Sequence, residues 1–245
     1  MDETTFNQEK FGLAYPPNIE NHYWTLARNC IIERQMKAAN IAKSNILEIG
    51  CGRGIVVNWL RKKGYNCWGV ELAHESPIDS VKEYVFAGQD ASKLPSKLRR
   101  SFSTILLLDL IEHLPDTVTF LSEIVDSFPN TTHLIITVPA RKELWSNYDE
   151  YYQHFRRYDM EMLQNTIEAI NNCRILDLRY FFHLLYLPAR LTLSLLQRRP
   201  VQTKAPPNML RPIHYLLSKL LMLDYLLFPK EFYGTSIICC AEILG

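Results

Sequence analysis

Short apolar runs of strand length alternate along this chain with segments whose apolar residues recur at helical spacing. The run at residues 46–49 is followed by a glycine-rich turn and then by helical spacing from Ile55 to Leu60. Gly64 ends this predicted helix, as glycine often does past a C-terminus. A second apolar run, residues 67–70, leads directly into Glu71. The order strand, glycine turn, helix, strand predicts a βαβ unit of the kind that binds nucleotides.

Five further apolar runs extend this pattern. They lie at residues 84–87, 102–108, 132–138, 174–181 and 234–243. The run at residues 102–108 is strongly apolar, which is typical of a strand buried on both faces of a parallel sheet. The chain is therefore predicted to form an α/β fold around a central sheet.

Helices are predicted between these strands from capping residues and apolar spacing. Residues 21–39 are predicted as a helix with Asn21 as its N-cap. Pro115 is predicted at the first position of a helix that ends near Ser127, and Asp159 as the N-cap of another. The polar residues 1–13 are expected to be loosely ordered.

Residues 182–233 separate the last two predicted strands and contain two leucine-rich helical segments joined by prolines. Neither segment suits a membrane span, which takes about 20 apolar residues. We expect an N-terminal helical cap at residues 1–40, a core at residues 41–181 and 234–245, and a helical insertion at residues 182–233. Three alternatives stay open for the insertion: packing on the body of the protein, a homodimer interface, or a peripheral membrane contact favoured by nearby basic residues.

Composition narrows the classes of protein but does not identify one. The 245 residues fit one large α/β domain, or one with an appended piece, and 47% of them are hydrophobic. The net charge of +1 gives no support for nucleic acid as a partner. The six cysteines include no C-x-x-C pair, and the polar N-terminus lacks the apolar core of a secretory signal. We therefore expect a cytoplasmic protein with reduced thiols, with peripheral membrane contact as an open alternative.

The glycine-rich turn carries the first candidate chemistry. Gly50, Gly52 and Gly54 lack a Cβ, so the backbone can turn sharply and approach a ligand closely. The following helix presents free N–H groups, and Glu71 has the spacing of a carboxylate that binds ribose hydroxyls. A dinucleotide-binding turn would read G-x-G-x-x-G, but Ile55 stands at the place of its third glycine. A nicotinamide-dependent oxidoreductase is therefore the weaker alternative.

Together with Glu48, these glycines resemble motif I of the class I S-adenosylmethionine-dependent methyltransferases, which reads E/D-x-G-x-G-x-G. The resemblance implies a Rossmann-like mixed sheet of seven strands with helices on both faces, in which an antiparallel last strand lies between the fifth and sixth. It also implies S-adenosyl-L-methionine as cofactor, with its adenine near Asp90. Arg28 would lie near the cofactor carboxylate, or alternatively in solvent. The implied cofactor-binding residues are Glu48, Gly50, Cys51, Gly52, Gly54, Glu71, Leu72, Asp90, Ala91 and Asp109.

Two later stretches extend the resemblance. LLLDLIEHLPD, which ends at Asp116, resembles motif IV of the same superfamily, and its E-H pair resembles that of the quinone-biosynthesis O-methyltransferases. The aromatic-rich residues 141–158 follow the fifth strand and resemble bacterial methyltransferases of types 11 and 23. In many of these a glycine precedes the histidine, whereas this chain has Gln153. We expect this departure to reshape the loop but to leave His154, Arg156, Arg157 and Tyr158 in position. Such a long loop at the end of a central strand is expected to carry function.

Methyl transfer needs an acceptor atom held close to an activated methyl group, the exclusion of water and, in some reactions, a base. His113 and His154 are the candidate bases, because histidine titrates near neutrality. Their alternative roles are a helix cap for His113 and a hydrogen bond within the loop for His154. We also considered a metal held by Glu112, His113 and Asp116, but neighbours in sequence make an awkward ligand set, so no metal is predicted.

Aromatic and basic residues of the long loop are the candidate acceptor-binding set. They are Tyr148, Arg156, Arg157 and Tyr158. The arginines could clamp an anionic acceptor, or form a salt bridge to Asp149 or Glu150 instead. The resulting hypothesis is an S-adenosylmethionine-dependent methyltransferase that acts on oxygen of a small or lipid-linked acceptor. A catalytically silent protein that binds the same cofactor is the second alternative.

Overall fold

The computed structural model describes residues 8–41 and 45–244, and within them seven strands form one mixed sheet. The strands are β1 (Asn45–Ile49), β2 (Asn66–Glu71), β3 (Val85–Ala87), β4 (Thr104–Leu108), β5 (His133–Pro139), β6 (Cys173–Phe181) and β7 (Ser236–Ile243). Their order in the sheet is β3-β2-β1-β4-β5-β7-β6. β7 is antiparallel to β5 and β6, and the other neighbours are parallel. The fold class predicted from the sequence is therefore confirmed.

Helices cover both faces of this sheet, because each face carries a buried apolar cluster. The helices are α1 (Gln8–Ala14), α2 (Tyr23–Ala38), α3 (Ile55–Lys62), α4 (Ser96–Arg99), α5 (Thr117–Ser127), α6 (Asn147–Tyr151), α7 (Met160–Glu168), α8 (His183–Leu196) and α9 (Arg211–Leu227). One cluster includes residues of α5 and α7, and the other includes residues of α2, α3 and α9.

Three local predictions need correction. Asp116 rather than Pro115 defines the start of α5, because its carboxylate accepts a hydrogen bond from the N–H of Thr119 at 3.1 Å. His22 rather than Asn21 caps α2, since its Nδ1 accepts from the N–H of Trp24. The expected loose order of residues 1–13 is wrong for residues 8–13, which lie in α1. Residues 1–7, 42–44 and 245, assigned above to the cap and core, lie outside the described residues.

The two helices between β6 and β7 are attached to the body of the protein through α9. The carboxylate of Asp224 is buried and accepts hydrogen bonds from the N–H groups of His183 and Leu184, so it caps α8. Tyr225 is buried against α2, where its hydroxyl accepts a hydrogen bond from Gln35 at 2.9 Å. One face of α9 is therefore core, while the division of the chain into cap, core and insertion stays a prediction.

Candidate active site

A cavity of about 900 Å³ lies at the carboxyl ends of β1 and β4, where ligands gather in sheets of this kind. Its walls come from α2, from the turn after β1, from the segments that follow β4 and β5, and from the inner side of α8. Residues of the linker from α8 to α9 also line the cavity. Residues far apart in the sequence therefore face one space.

The turn after β1 has the conformation that its glycines permit. Gly50, Gly52 and Gly54 have φ values of 72°, 54° and 78°, in the left-handed region that other residues avoid. The N–H of Gly50 donates to the carbonyl of Val70 at 2.9 Å, and the N–H of Gly52 donates to the Glu71 carboxylate at 2.8 Å. The turn is thus tied to the end of β2.

Glu48 and Arg28 bring a carboxyl group and a guanidinium with unused hydrogen-bonding capacity to the cavity wall. Glu48 is only 3% exposed, and burial raises the pKa of its carboxyl to about 8. Its Oε2 accepts no hydrogen bond from any described residue. Arg28 forms an ion pair with Asp109 through Nη1, but its buried Nε finds no acceptor within the described part of the chain. The site therefore offers a place for a cationic group at Glu48 and for an anionic group at Arg28.

The structure does not bring all the predicted cofactor residues to this cavity. Glu48, Gly50, Cys51 and Asp109 line it. Glu71 accepts hydrogen bonds from the N–H groups of Gly52 and Ala73, and burial raises its pKa. Six predicted residues are absent from the lining: Gly52, Gly54, Glu71, Leu72, Asp90 and Ala91.

Tyr15 lies directly against Gly52, one of the residues absent from the lining. It lines the cavity, and a Cβ placed on Gly52 would lie only 2.5 Å from its Cζ. Burial and the nearby charge of Glu71 raise the pKa of the Tyr15 hydroxyl. A ribose held by Glu71 would have to share this space with the phenol ring or displace it. Asp90 instead stabilises a local turn, because its carboxylate accepts a hydrogen bond from the N–H of Ser92 at 2.9 Å.

Two histidines from different segments meet at the cavity. His113 follows β4, His154 lies in the loop after β5, and their ring centroids are 4.7 Å apart. Burial, and to a smaller extent the neighbouring His154, lowers the pKa of His113 to about 3, so this imidazole is neutral at physiological pH. The Nδ1 of His154 lies 2.9 Å from Oδ1 of Asp149. With Nδ1 bound to a carboxylate, Nε2 is left with the lone pair.

Glu112 lies in the same corner. Burial, with the charge of Asp109, raises its pKa well above the ordinary value. The candidate ligand atoms of Glu112, His113 and His154 lie within 4.8 Å of one another. This is a different set from the one considered above, because Asp116 caps α5 instead. The expectation that the chain uses no metal stays a prediction.

Asp149 is the centre of the loop after β5. It is 0% exposed, and its carboxylate receives hydrogen bonds from the N–H of Ser146 at 2.9 Å and from Nε of Arg157 at 2.8 Å, besides that of His154. Ser146 and Asp149 also form a capping box at the start of α6. The alternative role given to Arg157, a salt bridge to Asp149, is the one that the structure shows.

Of the other three candidate acceptor-binding residues, one lines the cavity and two do not. Tyr148 lines the cavity, and the guanidinium of Arg199 lies over its ring at 4.1 Å. Arg156 is not among the lining residues and donates to the carbonyls of Leu114 and Pro115. Tyr158, also absent from the lining, is fully buried, with its hydroxyl 3.1 Å from Oγ1 of Thr117.

Gln153, which stands where many methyltransferases of this type have glycine, adopts a backbone conformation that glycine favours. Its φ of 59° lies in the left-handed region that glycine favours. The N–H of the next residue, His154, donates to the carbonyl of Asp149 at 2.8 Å, which closes the end of α6. His154 is thus held within the loop with glutamine at position 153, at the cost of local backbone strain, while the expected reshaping of the loop stays a prediction.

Sequence reasoning did not select Tyr15 or Arg199 as site residues, and it took Asp149 only as a salt-bridge partner. Arg199 comes from the linker after α8, and its backbone exchanges two hydrogen bonds with the side chain of Asn147, at 2.9 and 3.0 Å. Nothing local in the sequence marks these contacts. Only the capping-box spacing between Ser146 and Asp149 was visible as a signal.

Comparison with known protein families identifies the class of this chain. The sequence profile of a family described as "Methyltransferase domain" matches residues 24–184. The chain therefore belongs to this methyltransferase family, as the motif resemblance implied. The family confirms S-adenosylmethionine as the expected cofactor and sets aside the nicotinamide-dependent oxidoreductase.

Two curated relatives are named as O-methyltransferases. A ubiquinone biosynthesis O-methyltransferase from Rickettsia canadensis (strain McKiel) is 28% identical over 123 residues, which cover 47% of this chain and 52% of that protein. The corresponding protein of Rickettsia conorii (strain ATCC VR-613 / Malish 7) is 25% identical over 153 residues, 59% of this chain and 53% of its own length. The chain thus spans about half the length of these relatives.

A solved structure supports the fold over nearly the whole chain. The plantazolicin methyltransferase BpumL, solved in complex with S-adenosylhomocysteine, has a TM-score of 0.58 at 11% identity and covers 99% of this chain and 92% of its own. The methyltransferase domain of bacterial CtHen1-C has a TM-score of 0.56 at 12% identity, covering 90% of this chain and 98% of that one. At such identities the likeness concerns the fold.

Proposed function

We propose that this protein transfers a methyl group from S-adenosylmethionine to a hydroxyl oxygen of a small or lipid-linked acceptor. The observation that carries the proposal is the cavity, which joins the motif residues Glu48 and Gly50 to His154 and to the inner side of α8. Cofactor and acceptor can therefore meet in one space. The relatives named above as O-methyltransferases support oxygen as the methylated atom.

The amino-acid part of the cofactor fits the two unsatisfied polar atoms. S-adenosylmethionine carries an ammonium group and a carboxylate, and its sulfonium supplies an activated methyl group. Glu48 Oε2 would accept from the ammonium, and Arg28 Nε would donate to the carboxylate. A bound ammonium also stabilises the ionised form of Glu48, whose pKa is raised to about 8, chiefly by burial.

His154 is the base that the geometry favours. Its Nδ1 is held by the buried Asp149 carboxylate, so Nε2 is the atom left to accept the proton of an acceptor hydroxyl. Asp149 would act as a positioning residue that fixes the tautomer and stabilises the imidazolium after proton transfer. His113 is the poorer base, because its pKa of about 3 makes proton uptake unfavourable.

The inner side of α8 suits an acceptor with an apolar part. Leu185, Pro188, Ala189 and Leu193 all line the cavity there. Tyr148 contributes an aromatic surface beside them. A hydroxyl on a small aromatic or lipid-linked molecule would place its apolar part along α8 and its oxygen near His154.

Transfer of tritium from methyl-labelled S-adenosylmethionine into a lipid extract and into an aqueous metabolite extract tests the proposal. We expect label in the lipid extract with the wild type. His154→Gln should lower turnover about 100-fold or more, the usual contribution of a general base, with unchanged affinity for S-adenosylhomocysteine. His133→Gln, at the other end of β5, is the matched control and should retain full turnover.

Three outcomes would count against parts of the proposal. Binding of S-adenosylhomocysteine without transfer into either extract would favour the catalytically silent alternative. Label in the aqueous extract alone would refute a lipid-linked acceptor but not the transferase. Equal activity of His154→Gln and wild type would remove His154 as the base. We propose no nucleic-acid partner; the peripheral membrane contact and the homodimer are treated next.

A further inference from the structure

The outward side of α9 is apolar along its whole length. Ile213, Leu216, Leu220, Leu223 and Leu227 recur at helical spacing on this side, and Leu216 is 68% exposed. The opposite side carries the buried Leu221 and Tyr225 and packs against the body of the protein. Isolated exposed leucines are normal, but a continuous stripe of them marks a surface that binds something.

The outward side of α8 repeats this arrangement. Leu187, Leu191 and Leu195 lie one turn apart, and Leu195 is 80% exposed. We call these two exposed stripes, which lie on helices that contact each other, the apolar docking face. It consists of Leu187, Leu191 and Leu195 of α8 and of Ile213, Leu216, Leu220, Leu223 and Leu227 of α9.

The charge around this face is unbalanced. Residues 182–233 contain seven lysines and arginines but only two acidic residues, which gives them a net charge of +5, while the remainder of the chain carries −4. One of the two acids, Asp224, is buried at the cap of α8, and one of the basic residues, Lys230, is ion-paired with Asp177 of β6. Arg198 and Lys219 are exposed and form no ion pair within the described chain. Exposed leucines beside uncompensated basic residues are typical of helices that lie in the interface of an anionic membrane.

We propose that the apolar docking face binds the surface of an anionic lipid membrane. A second copy of this chain is the weaker occupant, because a symmetric dimer through this face would bring two segments of net charge +5 together. Among the described residues no helix is both long enough and apolar enough to cross a bilayer, so the contact is peripheral. The proposal does not depend on the chemistry assigned to the active site.

The position of α8 gives this contact a consequence for the acceptor. The outer side of α8 belongs to the apolar docking face, and its inner side lines the cavity through Pro188, Ala189 and Thr192. Lys204 of the following linker also lines the cavity and is exposed. A membrane-bound protein would thus hold the α8 end of its cavity next to the bilayer, where a lipid-linked acceptor resides.

Vesicle flotation of the full-length protein tests the proposal. The probes are vesicles of phosphatidylcholine alone and of phosphatidylcholine mixed with phosphatidylglycerol, at low and high salt. We expect the protein to float with the anionic vesicles at low salt and less at high salt. The double substitution Leu216→Gln with Leu220→Gln should lower the bound fraction about tenfold, since two leucines lose their burial in the interface.

Two matched variants separate the apolar and the electrostatic parts. Met162→Gln with Leu176→Gln removes two exposed apolar side chains elsewhere on the surface and should bind vesicles like the wild type. Arg198→Glu with Lys219→Glu should lose binding to anionic vesicles while keeping the affinity for S-adenosylhomocysteine. That affinity shows that each variant is folded, and it reports on the proposed function separately from the membrane contact.

The proposal is overturned if the wild type does not float with anionic vesicles at low salt. It is equally overturned if the Met162 and Leu176 control loses as much binding as the Leu216 and Leu220 variant. Sedimentation showing a dimer that the Leu216 and Leu220 variant dissociates, with no vesicle binding, would assign the face to a second copy instead.

Discussion

Replacement of Asp149 by asparagine removes one buried charge while keeping the shape of the side chain. The carboxylate is 0% exposed and is bound by Ser146, His154 and Arg157. An asparagine amide has one oxygen for these donors, and its NH2 group would face another donor. The missing negative charge affects Arg157 most, because its side chain is only 4% exposed and cannot be solvated instead.

The expected cost follows from the buried guanidinium that is left without its counter-ion. Removing one partner of a buried ion pair typically costs about 3–5 kcal/mol. Arg157 keeps a hydrogen bond to the carbonyl of Ala140 at 3.0 Å, which places the expectation near the lower end, about 3 kcal/mol. Since domains are stable by roughly 5–15 kcal/mol, this is a large part of the total.

Urea unfolding of the purified protein at neutral pH measures this cost. Asp159→Asn is the matched control, because Asp159 is exposed and caps α7 through the N–H of Met162 at 2.8 Å. Asparagine caps helices about as well as aspartate, so the control should change the free energy of unfolding by less than about 0.5 kcal/mol. A cost for Asp149→Asn below about 1 kcal/mol, or equal to that of the control, would refute the reasoning from buried charge.

The pH dependence provides a second check on Asp149. Burial raises the pKa of this carboxyl, but hydrogen bonds from His154 and Arg157 and the charge of Arg157 outweigh burial and hold it below 3.8. A carboxyl whose pKa is lowered by folding stabilises the protein above its unfolded pKa and loses this contribution as the pH falls through the folded value. The difference between wild type and Asp149→Asn should therefore shrink below pH 3.8. A constant difference through this range would contradict the assignment.

Three further predictions use other parts of the site. Glu71→Ala should weaken S-adenosylhomocysteine binding by about 1–3 kcal/mol in isothermal titration, whereas Glu123→Ala, exposed on α5, should leave it unchanged. Gln153→Gly should raise the free energy of unfolding by about 0.5–1 kcal/mol, because glycine adopts the φ of 59° without strain. Gln164→Gly within α7 should lower the free energy of unfolding by a similar amount, and a change of the same sign in both variants would refute the reasoning. Burial and the neighbouring histidine lower the pKa of His113 from 6.5 to about 3, so between these two pH values the unfolded chain binds more protons than the folded one. The free energy of unfolding of the wild type should therefore decrease as the pH falls through this range. An equally steep decrease in His113→Gln would show that His113 is not its cause.

Local sequence patterns predicted most of the elements of the fold. The βαβ unit was recognisable because its strand, turn and helix lie within about 25 consecutive residues and each has its own periodicity. Capping was less well predicted, as His22 and Asp116 show, because neighbouring polar residues compete for the same role. The leucine pattern of α8 and α9 was visible, but their exposure was not, since an amphipathic pattern does not state which side meets the core.

By itself, the sequence determined the α/β class, the glycine turn of motif I and the family, because these depend on residues close together in the chain. The tertiary structure decided which side chains share the cavity. It paired Arg28 with Asp109, laid Tyr15 against Gly52 and placed Arg199 over Tyr148. These partners are separated by tens of residues, so no local periodicity encodes them. They meet because the parallel strands end at one edge of the sheet and because α2 and the segment between β6 and β7 fold back over that edge.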